Sequence, residues 1–461
     1  MKNKLFLAMS LATSVLFSQN SDLWKKQESV KVEASVSALQ KRLPDKEIYQ
    51  LDLKAFKEAL TNAPQRKLGG QSSVIVAFPN ADGKLEKYRI SEASVLHPSL
   101  SKKYPDIKSY MGIGIDDPSD RIRFSLSNAK GLQSMRLGID KSTVFIEPFS
   151  DDLKRYTIYK KSDKPRDVDG FKCDVDPKNR NKSTSSSSLH KNADDGTLRT
   201  YRIAISATGE YTTHHGGTKA QAIAAMNTTM TRVNGIYETD FNLTMIIIAN
   251  NEDVIYTNAS TDPYSNGGFN SQVQSTLTSV IGEANYDIGH LFAKASNNGN
   301  AGCIGCVCVD GSKGSAFTSR TTPEGDPFDV DFVAHEIGHQ FGGNHTFSIR
   351  NEGTDVHMEP GSGTTIMGYA GITGATDVQP NSDPYFHAIN IQQITNYIKS
   401  TSCQTNTATG NNVPTVNAGS NYTIPKGTAF VLTGSANDAD ASDVLSYCWE
   451  QMDENNAATT Y

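Results

Sequence analysis

The fold class predicted for this 461-residue chain is an α/β sandwich on a mostly parallel sheet, preceded by a mostly β region. Two observations lead to it. Segments of strand period and helix period alternate between residues 197 and 403, and upstream of them short alternating runs are separated by turn words.

In the downstream part, LRTYRIAISA places Tyr201, Ile203 and Ile205 on one face of a strand. Residues 219 to 237 are helical, because Ile223, Met226, Met230, Val233 and Tyr237 recur at helical spacing. NLTMIIIA (242–249) reads as a buried strand, SQVQSTLTSVIG (271–282) as a helix and YDIGHLFA (286–293) as a strand. A glycine- and cysteine-rich segment, 299–315, precedes a helix around residue 335, and a last helix spans Ile389 to Ile398. Upstream, EIYQLDLKAFKEAL is a strand followed by a short helix. Strands are expected at Ser73–Phe78, Lys87–Ile90, Arg121–Leu126, Gln133–Leu137 and Thr143–Ile146, with turns such as Asn80-Ala81-Asp82-Gly83 between them.

Charged residues make up 20% of the chain and the net charge is −6, so there is no polybasic signature for nucleic acid or anionic lipid. Residues 1–18 read as a signal peptide: Lys2 and Lys4 form the basic start and Leu5 to Phe17 the apolar core. That run is short and interrupted by Ser10, Thr13 and Ser14, and no later run approaches the ~18 apolar residues of a membrane span. A secreted or cell-surface protein is expected.

Most of the chemical information lies in His335-Glu336-Ile337-Gly338-His339-Gln340-Phe341-Gly342-Gly343-Asn344-His345. Residues i and i+4 stack on one helix face, so His335 and His339 can point at one metal ion. Glu336 lies about 100° further round, within reach of a water on that ion. Gly342 can end the helix in the left-handed conformation, which lets His345 return as third ligand. Three neutral imidazoles leave one tetrahedral position of Zn²⁺ open. Phe328, Phe332, Val333, Ile337 and Phe341 form the apolar stripe of this helix. Asp329 and Asp331 are expected to favour its dipole in the first turn. Downstream, Met367 sits in the tight turn Gly361-Ser362-Gly363-Thr364-Thr365-Ile366-Met367-Gly368-Tyr369.

The long histidine motif followed by a methionine turn resembles the metzincin clan of zinc endopeptidases. The words VDFVAHEIGHQFGGNHTF and SGTTIMGYAGI resemble the reprolysin-like peptidases secreted by bacteria of the Bacteroidetes type. The likeness covers roughly residues 197 to 403. It departs from the venom reprolysins at Thr346, where they carry aspartate, and Tyr369 is closer to the astacin and serralysin pattern.

The resemblance implies a metzincin-type catalytic domain at 196–405, preceded by a β-rich pro-domain at 19–195. It implies a zinc endopeptidase acting on protein or peptide substrates, expected to be monomeric. Glu336 is the expected general base, Tyr369 an oxyanion stabiliser and Met367 an apolar floor under the imidazoles. Cys173, in DGFKCDVD, is the expected inhibitory ligand of the zymogen, since a thiolate at the fourth position would silence the enzyme. Calcium is admitted as a second ion, although Asp310 and Asp326 offer no ligand spacing for it.

Cys303, Cys306, Cys308 and Cys403 lie within the catalytic region and allow two disulfides, with Cys403 expected to tie to one of the other three. Cys173 and Cys448 are left over. The serine-rich segment 176–196 is an exposed linker, with activation cleavage expected between Arg180 and Arg199. His214, His215, His290, His357 and His387 are expected at the surface or at helix caps, with His290 as a candidate for the core. Residues 413–461 resemble the start of an immunoglobulin-like or PKD-like sandwich, truncated, with Trp449 in a buried strand.

Overall fold

The N-terminal alternating runs pair into an antiparallel sheet of nine strands, ordered β1-β2-β9-β8-β7-β6-β5-β4-β3, in the computed structural model. Residues 23–28, 47–67, 72–138, 142–165, 170–179, 195–265, 267–441 and 443–454 are described. The expected signal peptide and most of the serine-rich linker lie outside them. The strands are β1 (Trp24–Lys26), β2 (Glu47–Leu51), β3 (Ile75–Pro79), β4 (Leu85–Glu92) and β5 (Lys108–Gly114), then β6 (Arg121–Ser127), β7 (Gly131–Leu137), β8 (Val144–Pro148) and β9 (Arg155–Lys160). Among the described residues, two short α-helices accompany them, α1 (Leu53–Ala59) and α2 (Pro98–Lys103). Strand alternation gives the sheet two apolar faces. One packs Trp24, Phe56, Phe78, Phe124 and Tyr156 into its own core. The other contributes Met135, Phe145 and Tyr159 to the core of the following domain.

That domain is built on a second sheet, ordered β10-β14-β15-β13-β11-β12. Its strands are β10 (Lys172–Cys173), β11 (Thr197–Ala207), β12 (Leu243–Ile247), β13 (Ile288–Ala293), β14 (Asn298–Asn300) and β15 (Ala316–Ser319). β11 pairs in parallel with β12 and β13, and β13 with β15, as the alternation of helices and strands predicts. β14 runs antiparallel to β15, and β16 (Thr405–Ala408) antiparallel to β11, so the sheet is mixed. The helices are α3 (Gly209–His214), α4 (Lys219–Phe241), α5 (Phe269–Thr276), α6 (Ala334–Gln340) and α7 (Ala388–Ser400).

α4 is buried almost all round, not along a single stripe. Its apolar face meets the second sheet, and Asn227, Thr228 and Thr231 turn toward the first. There Ser109 bonds Asn227 at 2.9 Å and Thr231 at 2.7 Å, and Ser125 bonds Thr228 at 2.8 Å. The N-terminal region also reaches both edges of the second sheet. Ile247 of β12 donates to Val95 O and accepts from His97 N–H, at 2.8 and 2.9 Å, while β10 lies along β14 at the opposite edge.

The C-terminal sandwich is not found. Among the described residues 413–454, one antiparallel pair forms, β17 (Thr415–Asn417) with β18 (Ser435–Asn437). Trp449 is 50% exposed, because no second sheet is present to cover it. Among the described residues, no helix is long and apolar enough to cross a membrane.

Candidate metal centre

The histidine helix begins as a π-helical turn, Pro327–Val333, that runs into α6. Ala334 N–H donates to Asp329 O, five residues back. The carboxylates expected to serve the dipole do other work. Asp329 is buried against Thr229 and Arg232, and Asp331 pairs with Lys161 of the N-terminal region at 2.7 Å. The far end of the helix closes as the glycine predicts. Gly342 takes φ +96°, its N–H reaches His339 O at 2.9 Å, and Gly343 N–H reaches Gly338 O at 2.9 Å.

This turn brings His345 back to His335 and His339. All three rings are buried, and their Nε2 atoms lie 3.0, 3.2 and 3.3 Å apart. Each Nδ1 meets an acceptor: Ile366 O at 2.7 Å for His335, Gly343 O at 2.8 Å for His339, and a Glu352 carboxylate oxygen at 2.8 Å for His345. Nδ1 therefore carries the proton in each ring and the three Nε2 lone pairs face one another. Burial pushes His335 down to about 4, and it drives His339 and His345 well below the ordinary range, helped by the neighbouring rings. Three mutually repelling lone pairs at this spacing fit a cation between them. A tetrahedral Zn²⁺ with Zn–N of ~2.0–2.1 Å sets its nitrogens about 3.3 Å apart.

Cys173 faces the same point, with Sγ 3.6 Å from His339 Nε2, and the four side chains form one potential metal-ligating group. Its strand β10 adds to β14 in parallel, in a register that sets Cys173 opposite Gly299. Glycine is required there, since a Cβ would come within 2.2 Å of Glu336 Oε1 and 2.5 Å of Phe171. Phe171 anchors the strand by stacking on Phe332, with centroids 3.8 Å apart. Both Glu336 oxygens are buried without a well-formed hydrogen bond, and burial pushes the carboxyl up to about 8.

Tyr369 lies beside the trio, its ring centroid 4.6 Å from that of His345 and its hydroxyl buried without a partner. Met367 packs its sulfur directly under Gly338, so that a Cβ on that glycine would come within 2.6 Å of it. Thr346 donates its hydroxyl to Glu359, and the same carboxylate accepts from the Thr364 and Thr365 N–H groups at 2.8 and 3.0 Å, which braces the methionine turn. Glu352 and Glu359 were not identifiable as candidates, because loop carboxylates carry no spacing signal.

The cysteines of the catalytic region form Cys308–Cys403 and Cys303–Cys306 disulfides, while Cys448 is free and exposed. The reading of the other histidines is corrected for His357, which is neither at the surface nor a cap but buried, with Nδ1 on Phe347 O. His290 lies in the core, as admitted, and His215 caps α3 but is buried there. His290 bonds Gln340 of α6 and Thr318 of β15, both at 2.9 Å. His387 caps α7, as expected. Calcium gains no support: Asp326 is taken by Lys161 and Lys164, and Asp310 by Lys313.

Two histidines on a helix that ends in a glycine turn and a third just beyond it, beside a mixed sheet and above a buried methionine, define a zinc metallopeptidase. Residues 197–398 match the family described as metallo-peptidase family M12B, reprolysin-like, and this segment is a reprolysin-like metallopeptidase domain of that zinc-using hydrolase family. No curated protein matches the chain.

Proposed function

We propose that the chain is the latent form of a secreted zinc-dependent endopeptidase. The observation that carries this is the convergence of three unprotonated Nε2 atoms on one point, with the Glu336 carboxylate beside them. His335, His339 and His345 would hold the ion. When bound, zinc supplies Lewis-acid chemistry, acidifying a water and polarising the scissile carbonyl. Glu336 takes the proton released by the water and returns it to the leaving amine. A carboxyl raised by burial is suited to both transfers near neutrality. The Tyr369 hydroxyl, buried beside the trio without a well-formed hydrogen bond, would donate to the oxygen on which charge develops.

Residues 19–195 act as the pro-domain. The Cys173 sulfur groups with the three imidazoles, and β10 pairs with β14 beside Glu336, which supports this reading. Cleavage between Arg180 and Arg199 frees this segment to leave. Two disulfides favour an exported chain.

The test is Glu336→Gln. The processed variant should retain one zinc per chain by metal analysis and lose peptide hydrolysis by about 10²–10⁴-fold. Hydrolysis at the parent rate would remove Glu336 from the mechanism, and a parent that takes up no zinc would remove the metal.

A further inference from the structure

His214, His215 and Glu324 have no part in the zinc centre, yet they form a second group with metal-ligating atoms within 4.8 Å of one another. His214 ends α3 and His215 caps it, while Glu324 lies in the loop that leads into the π-turn of the active-site helix. The His215 side chain is buried, and its ring packs edge-on against Tyr211 at 4.4 Å. Its Nε2 lies 3.2 Å from Pro323 O and so carries the proton, which leaves Nδ1 as a lone pair turned into the cluster. Nδ1 is 3.9 Å from one oxygen of Glu324. His214 Nε2 is 3.6 Å from the other oxygen, and it is buried with no hydrogen-bond partner.

A cation already sits on this group. Lys130, from the turn between β6 and β7, places its ammonium 2.8 Å from His215 Nδ1 and 3.6 Å from Glu324. That turn belongs to the N-terminal sheet, the part of the chain that the proposed activation removes. We infer that His214, His215 and Glu324 form a second divalent-metal site, masked in the full-length chain by the Lys130 ammonium. Two imidazoles and one carboxylate suit a borderline ion such as Zn²⁺ and not Ca²⁺, which demands oxygen ligands. The His214 and His215 nitrogens stand 3.6 and 3.9 Å from the Glu324 oxygens, wider than the about 3.3 Å spacing of a closed zinc site. Glu324, with 44% of its side chain exposed, has room to move in once the ammonium has gone. The ion would then tie the end of α3 to the loop that enters the catalytic helix, replacing a tether lost with the N-terminal sheet.

The experiment uses the full-length chain and zinc alone, counted by metal analysis after equilibrium dialysis. The parent should bind one zinc, Lys130→Met two, and Lys130→Met with His214→Ala one again. Calcium in place of zinc should add none to any of the three. An unchanged count in Lys130→Met overturns the site, and so does a second zinc that survives His214→Ala. A second zinc in the parent overturns the masking by Lys130. Should Lys130→Met fail to fold, Lys130→Gln, which keeps a polar end at this part-exposed turn, carries the same count.

Discussion

In the latent form proposed above, Cys173 is the residue on which latency would depend. Its thiol reaches the three imidazoles only because β10 is hydrogen-bonded to β14 and Phe171 is stacked on Phe332. Cys173→Ser in the uncleaved chain removes the soft ligand and keeps the strand, so peptide hydrolysis before processing should rise at least ~10-fold over the parent. An uncleaved variant as silent as the parent would place latency in the strand alone. His290 sets a pH limit on the same helix. Burial pushes it down to about 4, so the folded state holds it neutral while the unfolded chain protonates it near its ordinary value. Its contribution is therefore present above about pH 6.5 and lost as pH falls toward 4. Between pH 7 and 5 this amounts to about 2 kcal/mol, which His290→Asn should remove from the pH dependence of urea unfolding. The cluster of His335, His339 and His345 was legible in the sequence because helix period and motif spacing locate it. Glu352 and Glu359 were not, because their partners are chosen by how two loops fold over each other.

Among the elements, the Cys308–Cys403 bridge joins the loop before β15 to the end of α7 and closes a separation of 95 residues. Cys303–Cys306 closes a separation of 3. Loop-closure entropy makes the long bridge the stabilising one, so Cys308→Ser with Cys403→Ser should cost about 4 kcal/mol in chemical unfolding, and the short pair distinctly less. Equal losses from the two pairs would reject that account. α4 and β11 to β13 were readable from apolar period alone. β5 and β9 were not picked out among the expected strands, and the π-turn ahead of α6 gives no local signal. Its extra residue per turn accompanies bonds from Asp329 and Asp331 to partners on other elements.

At the scale of the whole molecule, the N-terminal sheet is joined to the catalytic helix by buried charge. Arg232 of α4 bridges Glu147 and Asp329 at 2.9 and 2.8 Å, while Lys161 and Lys164 enclose Asp326 at 2.8 and 3.0 Å. Burial alone would raise Asp326, but the two ammonium groups hold it well below the ordinary carboxylate range. Breaking such a buried network from one side leaves carboxylates uncompensated, so Lys161→Met should destabilise the full chain by about 3–5 kcal/mol. Adding Asp331→Asn should recover part of that loss in urea unfolding; a strictly additive pair would show that the two do not interact. The N-terminal region, outside its own sheet, also covers both edges of the catalytic strands β11 to β15, through Val95–His97 at β12 and β10 at β14.

The sequence by itself determined the histidine cluster for zinc, the main helices and the strands β11 to β13 of the catalytic domain and the β character of what precedes it, because each depends on residue type at short, regular spacing. Only the tertiary structure decided which carboxylates orient His345 and the methionine turn, which cysteines pair, and how the N-terminal sheet grips the catalytic helix. Those choices join residues far apart in the chain, where nothing local records the partner.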